Sequence, residues 1–274
     1  MNPTISILLA AYNSEDLLMK VFLPGFSKNT NPAYRVQLII YDNGGNGKLQ
    51  EVKERCSHLV DIVNVVGDGK NVGLNAALNE CAKVADGEYF YLPHTDIYLM
   101  PGWDTALMEA CKGMPPRSFL LCSRSIEPTK GHTDLHVIRD YGKDPSDFKE
   151  EDLLKDFKDY SDHVIVFAAR MPFFMHRDLW KKMNGVDPDY FSYCTDDDLI
   201  QTAYDVGVRK FWMINNSLIY HLQGKSNAQQ TVDKDSNKPY IHFVNKWRDR
   251  GYKDANHPGY WHPKLLPLGL KVKG

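Results

Sequence analysis

The feature that most constrains this chain is a repeated punctuation of its first half. Four short apolar, β-rich runs, at residues 5–10, 36–41, 60–66 and 89–92, each stop at a polar or glycine-bearing loop. Helical patterns fill the intervals. Ser14 takes an N-cap position before Glu15 and Asp16, with an apolar stretch from Leu17 that Pro24 and Gly25 are expected to interrupt or end. Leu49, Val52 and Cys56 suggest a second helix, and Leu74, Ala77, Leu78 and Cys81 recur at helical spacing in a third. Strands that alternate with helices imply a mostly parallel sheet covered on both faces. Ligands of such sheets bind beyond the carboxyl ends of the strands. The loops at Asn13, Asp42, Lys70 and His94 are all predicted at that edge.

The second half is less regular. A core strand is predicted at 119–123, then a charged excursion over the active face at 127–162, helical near 150–157. Strands at 164–167 and 173–176 follow, then helices at 177–183 and 196–205 and strands at 210–213 and 217–220. The 274 residues are 43% hydrophobic and 25% charged, enough for a sizeable core. A net charge of -2 excludes a strong overall field for nucleic acid or an anionic membrane. The five cysteines are widely spaced and contain no C-x-x-C pair, so reduced, buried thiols are expected rather than a disulfide framework or zinc site. No stretch reaches the length of a transmembrane helix, and Met1-Asn2-Pro3-Thr4 does not read as a signal peptide. A cytoplasmic location is the corresponding expectation.

Several loops hold groups suited to chemistry, each with a structural alternative. Asp42 can accept the N–H of a uracil-type base or cap its turn. Lys70 can pair with a phosphate beside the helix opened by Gly73, or be a surface lysine. A carboxylate in His94-Thr95-Asp96 can hold a divalent ion that bridges two phosphates. Mg2+ prefers oxygen ligands there, whereas Mn2+ also accepts imidazole. Thr195-Asp196-Asp197-Asp198-Leu199 opens a helix, where carboxylates are favourable. Adjacent carboxylates also raise one another's proton affinity, which suits a general base. His221 follows a strand and becomes a metal ligand if it meets Asp96.

In this order the segments resemble glycosyltransferase family 2, the inverting enzymes of GT-A fold, across residues 4–226. Ile5-Ser6-Ile7-Leu8-Leu9-Ala10-Ala11-Tyr12-Asn13 looks like that family's first strand and nucleotide-contacting turn. Asp42 falls at the base-binding aspartate, and Lys70-Asn71-x-Gly73-x-Asn75-x-Ala77 resembles the donor loop. His94-Thr95-Asp96, with Pro101-Gly102-Trp103 behind it, takes the place of the D-x-D motif. Gly185-Val186-Asp187, Phe191 and Asp196-Asp197-Asp198-Leu199 resemble the G-x-D … E-D-x-D-L region, and His221-x-x-Gly224-x-Ser226 the closing histidine segment. Two positions depart from the pattern: His94 replaces the first D-x-D carboxylate and Thr195 replaces the E-D glutamate.

The resemblance implies an α/β, Rossmann-like GT-A fold with a mixed, mostly parallel sheet flanked by helices. It places a nucleotide-binding half at 1–100 and an acceptor and catalytic half at 101–226. It also implies a nucleotide-sugar donor, UDP-linked by the lean of Asp42, contacted by Ala11, Tyr12, Asn13, Asp42, Lys70, Asn71, Gly73, Asn75, His94, Thr95 and Asp96. Mn2+ or Mg2+ would be held by Asp96 and His221. The base would be Asp196, with Asp197 or Asp198 as alternatives. The acceptor hydroxyl could belong to a glycan, a lipid-linked sugar or a nucleic acid.

Residues 227–274 match nothing in the family and read as a basic aromatic extension. From Gln223 onward there are ten Lys and Arg against four Asp, with Trp247, Tyr252, Tyr260 and Trp261 interleaved. Such a tail can contact a polyanion, pack on sugar rings, or be stapled to the domain by its aromatics. Two other function classes share the architecture. A sugar-nucleotide nucleotidyltransferase should carry a glycine-rich loop after its first strand, and Ala10-Ala11-Tyr12-Asn13 is not one. A non-catalytic nucleotide- or glycan-binding protein would not need Asp96, Asp196 and His221 together.

Overall fold

In the computed structural model of the chain, the described residues are 4–44, 54, 63–129, 135–224 and 238–250. The apolar runs form strands β1 (Thr4–Ala11), β2 (Arg35–Asp42), β3 (Val63–Val66) and β4 (Tyr89–Leu92). They are parallel in the order β3-β2-β1-β4. With helices against both faces, such strands are largely apolar, and Ile5, Ile7, Leu8 and Leu9 are fully buried, while the buried Ser6 hydroxyl donates to Gln37 Oε1 at 2.6 Å. The predicted helix through Leu49, Val52 and Cys56 lies outside the described residues, apart from Glu54.

The sheet continues through β5 (Ile97–Leu99), β6 (Phe119–Glu127), β7 (Val137–Ile138), β8 (Ile165–Phe167), β9 (Phe173–His176) and β10 (Lys210–His221). Among the described residues the full order is β3-β2-β1-β4-β9-β6-β10-β5, with β7 on β6 and β8 on β10. Strand β9 is antiparallel to both β4 and β6, and β6 is parallel to β10. The carboxyl ends of β1, β2, β3, β4, β6 and β10 therefore share one edge.

Helices cover both faces. Leu18, Phe22 and Phe26, from the segment after β1, pack on one face with Trp103 and Leu107 of the helix Trp103–Cys111. On the other lie α3 (Leu74–Val84), α6 (Arg177–Met183) and α7 (Thr195–Asp205), through Ala77, Leu78, Leu179, Trp180 and Leu199. In chain order the remaining helices are α1 (Glu15–Leu17), α2 (Leu23–Asn29), α4 (Trp103–Cys111), α5 (Glu150–Asp156) and α8 (Lys238–Asp249). None of the described helices is long and apolar enough to cross a membrane.

The structure departs from two sequence expectations. Pro24 and Gly25 do not end their helix, which widens into a π turn at Leu18–Phe22 and continues to Asn29. Pro24 lacks the N–H that an α turn would use, and the π turn ahead of it accommodates that loss. Gly25 is needed for close approach, since a Cβ there would lie 2.7 Å from the Leu99 backbone nitrogen. The strands expected at 210–213 and 217–220 are one, β10, with a register shift between Ile214 and Leu218 against β6. Within that irregularity Ser217 is buried, and its hydroxyl donates to the Trp103 carbonyl at 2.9 Å.

For the residues after 226, the structure realises one of the alternatives, a segment stapled to the domain by its aromatics. Helix α8 packs into the body of the molecule, with Phe243 and Trp247 fully buried beside Tyr190 and Cys194. Of the interleaved aromatics, Trp247 is therefore a core residue. Tyr252, Tyr260 and Trp261 lie outside the described residues. Cys81, Cys111, Cys122 and Cys194 are buried, and burial pushes the Cys81 and Cys122 thiols up to about 12.

Candidate active site

The site begins where β1 and β2 end. Ala11 pairs with Asp42 in register, and the Asn43 N–H donates to the Ala11 carbonyl at 2.9 Å. Tyr12 is half-buried, and Asn13 is exposed with φ 46°. Asp42 Oδ1 accepts the Gly44 N–H at 3.2 Å, so the turn-capping role is realised, which leaves its half-buried carboxylate at the edge. Asn43, read in the sequence only as a turn residue, is buried and joins two loops. Its Oδ1 accepts the Val72 N–H at 2.7 Å.

The loop that carries Lys70 is shaped by its own side chains. The Lys70 N–H donates to Asp68 Oδ1 at 3.1 Å, and the Gly73 N–H to Asn71 Oδ1 at 3.1 Å. Lys70 is exposed and Asn71 half-buried. Gly73 has φ 86°, and a Cβ there would lie 2.8 Å from the Phe191 ring. The Leu74 N–H donates to the Phe191 carbonyl, and Asn75 Nδ2 to the Asp187 carbonyl at 2.8 Å. Gly73 and Asn75 are thus buried members that seat the loop on the segment before α7, whereas Lys70 is presented outward.

Beyond β4 the chain reverses through His94-Thr95-Asp96 into β5, which runs antiparallel to β10. Ile97 lies opposite His221, and the Leu222 N–H donates to the Asp96 carbonyl at 3.0 Å. This pairing brings Asp96 Oδ2 to 3.6 Å from His221 Nε2. Ligand atoms of His94, Asp96 and His221 all lie within 4.8 Å of one another. The meeting that the sequence left conditional for His221 therefore occurs, and His94 joins it. Thr95 is buried between them.

Glu127 ends β6 beside His221 and was not singled out in the sequence. Its Oε1 lies 3.0 Å from His221 Nδ1, and its Oε2 3.0 Å from His136 Nδ1. Gln223 Nε2 donates to Glu127 Oε2 at 2.8 Å. The only sequence signal available was a polar residue at the end of an apolar strand, and the strand was expected to stop at Ser123. A carboxylate on one ring nitrogen orients the imidazole and leaves the other nitrogen for an ion.

The electrostatics suit a cation. Burial disfavours an imidazolium at His221, but Asp96 and Glu127 outweigh it and push the group up to about 10. Burial likewise opposes charge on Glu127, yet His136 and His221 hold its carboxyl down to about 2. Burial lowers the His94 imidazole, against the pull of Asp96 and Asp196, which favours the neutral, ligating form. A donor set of one carboxylate and two imidazoles fits a divalent ion.

His94, Glu127, His136, Arg170, Asp196 and His221 line one cavity of about 470 Å³. Asp196 reaches it from the first turn of α7, and its Oδ2 lies 3.5 Å from the Met171 N–H. Asp197 is half-buried, and its carboxyl is pushed up to about 7 by burial and then by the Asp196 charge, with Arg170 opposing. Asp198 faces elsewhere, buried against α8, with its Oδ1 accepting the Trp247 indole N–H at 2.9 Å. A second His/Asp grouping, Asp187, Asp189 and His242, is occupied by the Lys246 ammonium, 2.7 Å from Asp187 Oδ2.

A mostly parallel sheet flanked by helices, with a His/Asp cluster just past β4, defines a GT-A glycosyltransferase fold. The family model for glycosyl transferase family 2 matches residues 6–180, and the chain belongs to that family. Among solved structures, S. aureus TarS (residues 1–349) in complex with UDP-GlcNAc is similar at TM-score 0.65 and 15% identity. That match covers 93% of this chain and 68% of TarS 1–349. GalNAc-T7 with UDP, GalNAc and Mn2+ is similar at TM-score 0.62 and 15% identity, covering 97% of this chain and 56% of that one. The chain thus spans little more than half the length of GalNAc-T7, and at such identity the likeness is one of fold. No curated protein matches the sequence.

Proposed function

We propose that this chain transfers a sugar from a nucleoside diphosphate donor, UDP-linked, to an acceptor hydroxyl with inversion at the anomeric carbon. The observation that carries the reading is that His94 and His221 line the same cavity as Asp196, with the buried Asp96 carboxylate within 4.8 Å of both imidazoles. The UDP and UDP-GlcNAc in the similar GalNAc-T7 and TarS structures support a uridine donor.

Asp42 accepts the N–H of the base, with Ala11, Tyr12 and Asn13 flanking the nucleoside. Two strand spacings, about 10 Å, separate the ends of β2 and β4. The diphosphate then lies toward Lys70 and His94-Thr95-Asp96. Asn71, Gly73 and Asn75 keep the Lys70 loop in place. Asp96 and His221, joined by His94, would hold a divalent ion, Mn2+ or Mg2+. When bound, that ion contributes positive charge against the departing diphosphate. Lys70 adds charge from the other side.

Asp196 takes the proton of the acceptor hydroxyl as its oxygen attacks the anomeric carbon. The bond from that carbon to the diphosphate oxygen breaks on the opposite face, and its electron pair leaves with the nucleoside diphosphate. A single displacement inverts the centre, with no covalent sugar on the protein. The test is slow release of UDP from UDP-sugars by the purified chain, with and without Mn2+. Mn2+-dependent release from one of them supports the reading. Exchange of pyrophosphate with no release of UDP would replace it with nucleotidyl transfer.

A further inference from the structure

Helix α8 presents two polar groups to the first turn of α7. Lys246 Nζ lies 2.7 Å from Asp187 Oδ2 and 2.7 Å from Asp198 Oδ2, and the side chain is only 13% exposed. Trp247 donates its indole N–H to the other Asp198 oxygen. Both oxygens of Asp198 are therefore taken by α8. Asp187 belongs to the segment that receives Asn75 and, through Phe191, Gly73 of the Lys70 loop. One ammonium thus joins the start of α7 to the seat of that loop.

Residues two apart on an α-helix point about 200° away from each other. Pinning Asp198 to α8 consequently turns Asp196 to the opposite side of α7, where the cavity lies. We propose that Lys246 and Trp247 are positioning residues for transfer: α8 sets the rotation of α7, and with it the aim of Asp196, relative to the Lys70 loop. Without Lys246 the buried Asp198 loses its cation and its link to the half-buried Asp187, which frees α7 to shift. A displacement of about 1 Å at a reacting group costs on the order of 100-fold in rate.

The kinetic arm rests on the transferase reading. Lys246→Met keeps the apolar stem, and Trp247→Phe removes only the indole N–H from an otherwise aromatic site. Both are compared with the full chain in Mn2+-dependent UDP release across a panel of UDP-sugars and in UDP binding by calorimetry with Mn2+. Lys246→Met is expected to lower kcat at least about tenfold, and Trp247→Phe about threefold, with UDP affinity held within about threefold. Lys246→Arg, which keeps the charge, should recover part of the rate. An unchanged kcat in both Lys246→Met and Trp247→Phe, or a loss of UDP affinity in step with the rate, overturns the proposal. If the full chain releases no UDP, the donor assignment falls, and amide hydrogen exchange decides the positioning role by itself. Faster exchange at 195–205 in both variants, with 36–41 unchanged, supports it. Unchanged exchange at 195–205 overturns it.

Discussion

Three adjacent aspartates open α7, and each meets a different environment. Asp196 lines the cavity, Asp197 is half-buried beside it, and Asp198 is bonded to α8. Asp196→Asn is expected to lower UDP-sugar turnover by about 10²- to 10⁴-fold with UDP affinity unchanged in calorimetry. Asp96→Ala should instead remove the Mn2+ dependence of UDP binding, measured the same way, because the one carboxylate of the His94, Asp96 and His221 set is gone. Asp197 carries a stability signature of its own. Its proton is held to about pH 7 in the folded chain against 3.8 for an ordinary aspartate. Between those values the folded state binds more protons than the unfolded one, so this group's contribution falls as pH rises and is lost above 7. Asp197→Asn should therefore be more stable than the natural chain at pH 8, by about 2 kcal/mol in urea unfolding. Near pH 4 the two should match.

At the scale of elements, the site depends on how loops and strands approach one another. Gly73 combines φ 86° with contact to Phe191, its would-be Cβ lying 3.0 Å from the Phe191 Cα. Neither strain is open to an L side chain, and the partner atoms include backbone that cannot swing away. Gly73→Ala is expected to cost about 1–3 kcal/mol in denaturant unfolding. Because the loop's seat moves, it should also weaken UDP-sugar binding. The pairing of β5 with β10 acts in the same way on the other side of the cavity, since it alone sets Asp96 beside His221. Residues 127–162 were expected to run over the active face. Part of that segment does, as His136 reaches the cavity, while Tyr141 and Leu153 pack against Tyr98 and Tyr220 at the side.

For the whole molecule, the proposed donor half of the site is assembled from the ends of β1, β2, β4 and β10, and the proposed base, Asp196, reaches the cavity from the first turn of α7. A ligand that binds only this assembled state raises its stability by mass action. UDP with Mn2+ at about 100 times its Kd should add about 2.7 kcal/mol, a Tm rise of a few degrees in a thermal-shift assay. UDP or Mn2+ alone should give much smaller shifts, and a metal chelator should abolish the joint effect. Equal shifts from UDP with and without Mn2+ would separate donor binding from the His94, Asp96 and His221 cluster.

The alternation of apolar runs and helices was sufficient, by itself, to place β1, β2 and β4 in a parallel sheet and to put Asp42, Lys70 and His94-Thr95-Asp96 at its carboxyl edge. Those features are local: a buried parallel strand is apolar along most of its length, and the loop after it must lie at one edge. Family resemblance rested on the same local motifs in their order. What remained open was every relation between segments distant in the chain. Whether His221 meets Asp96 depends on the β5–β10 register, and Glu127 joins them only because β6 runs beside β10. Which aspartate faces the cavity depends on α8, a helix whose sequence matched nothing and whose Trp247 and Lys246 are drawn inward by buried partners. Hydrophobic periodicity records which face of an element is buried. It does not record which other element buries it, and that choice placed the charges of this site.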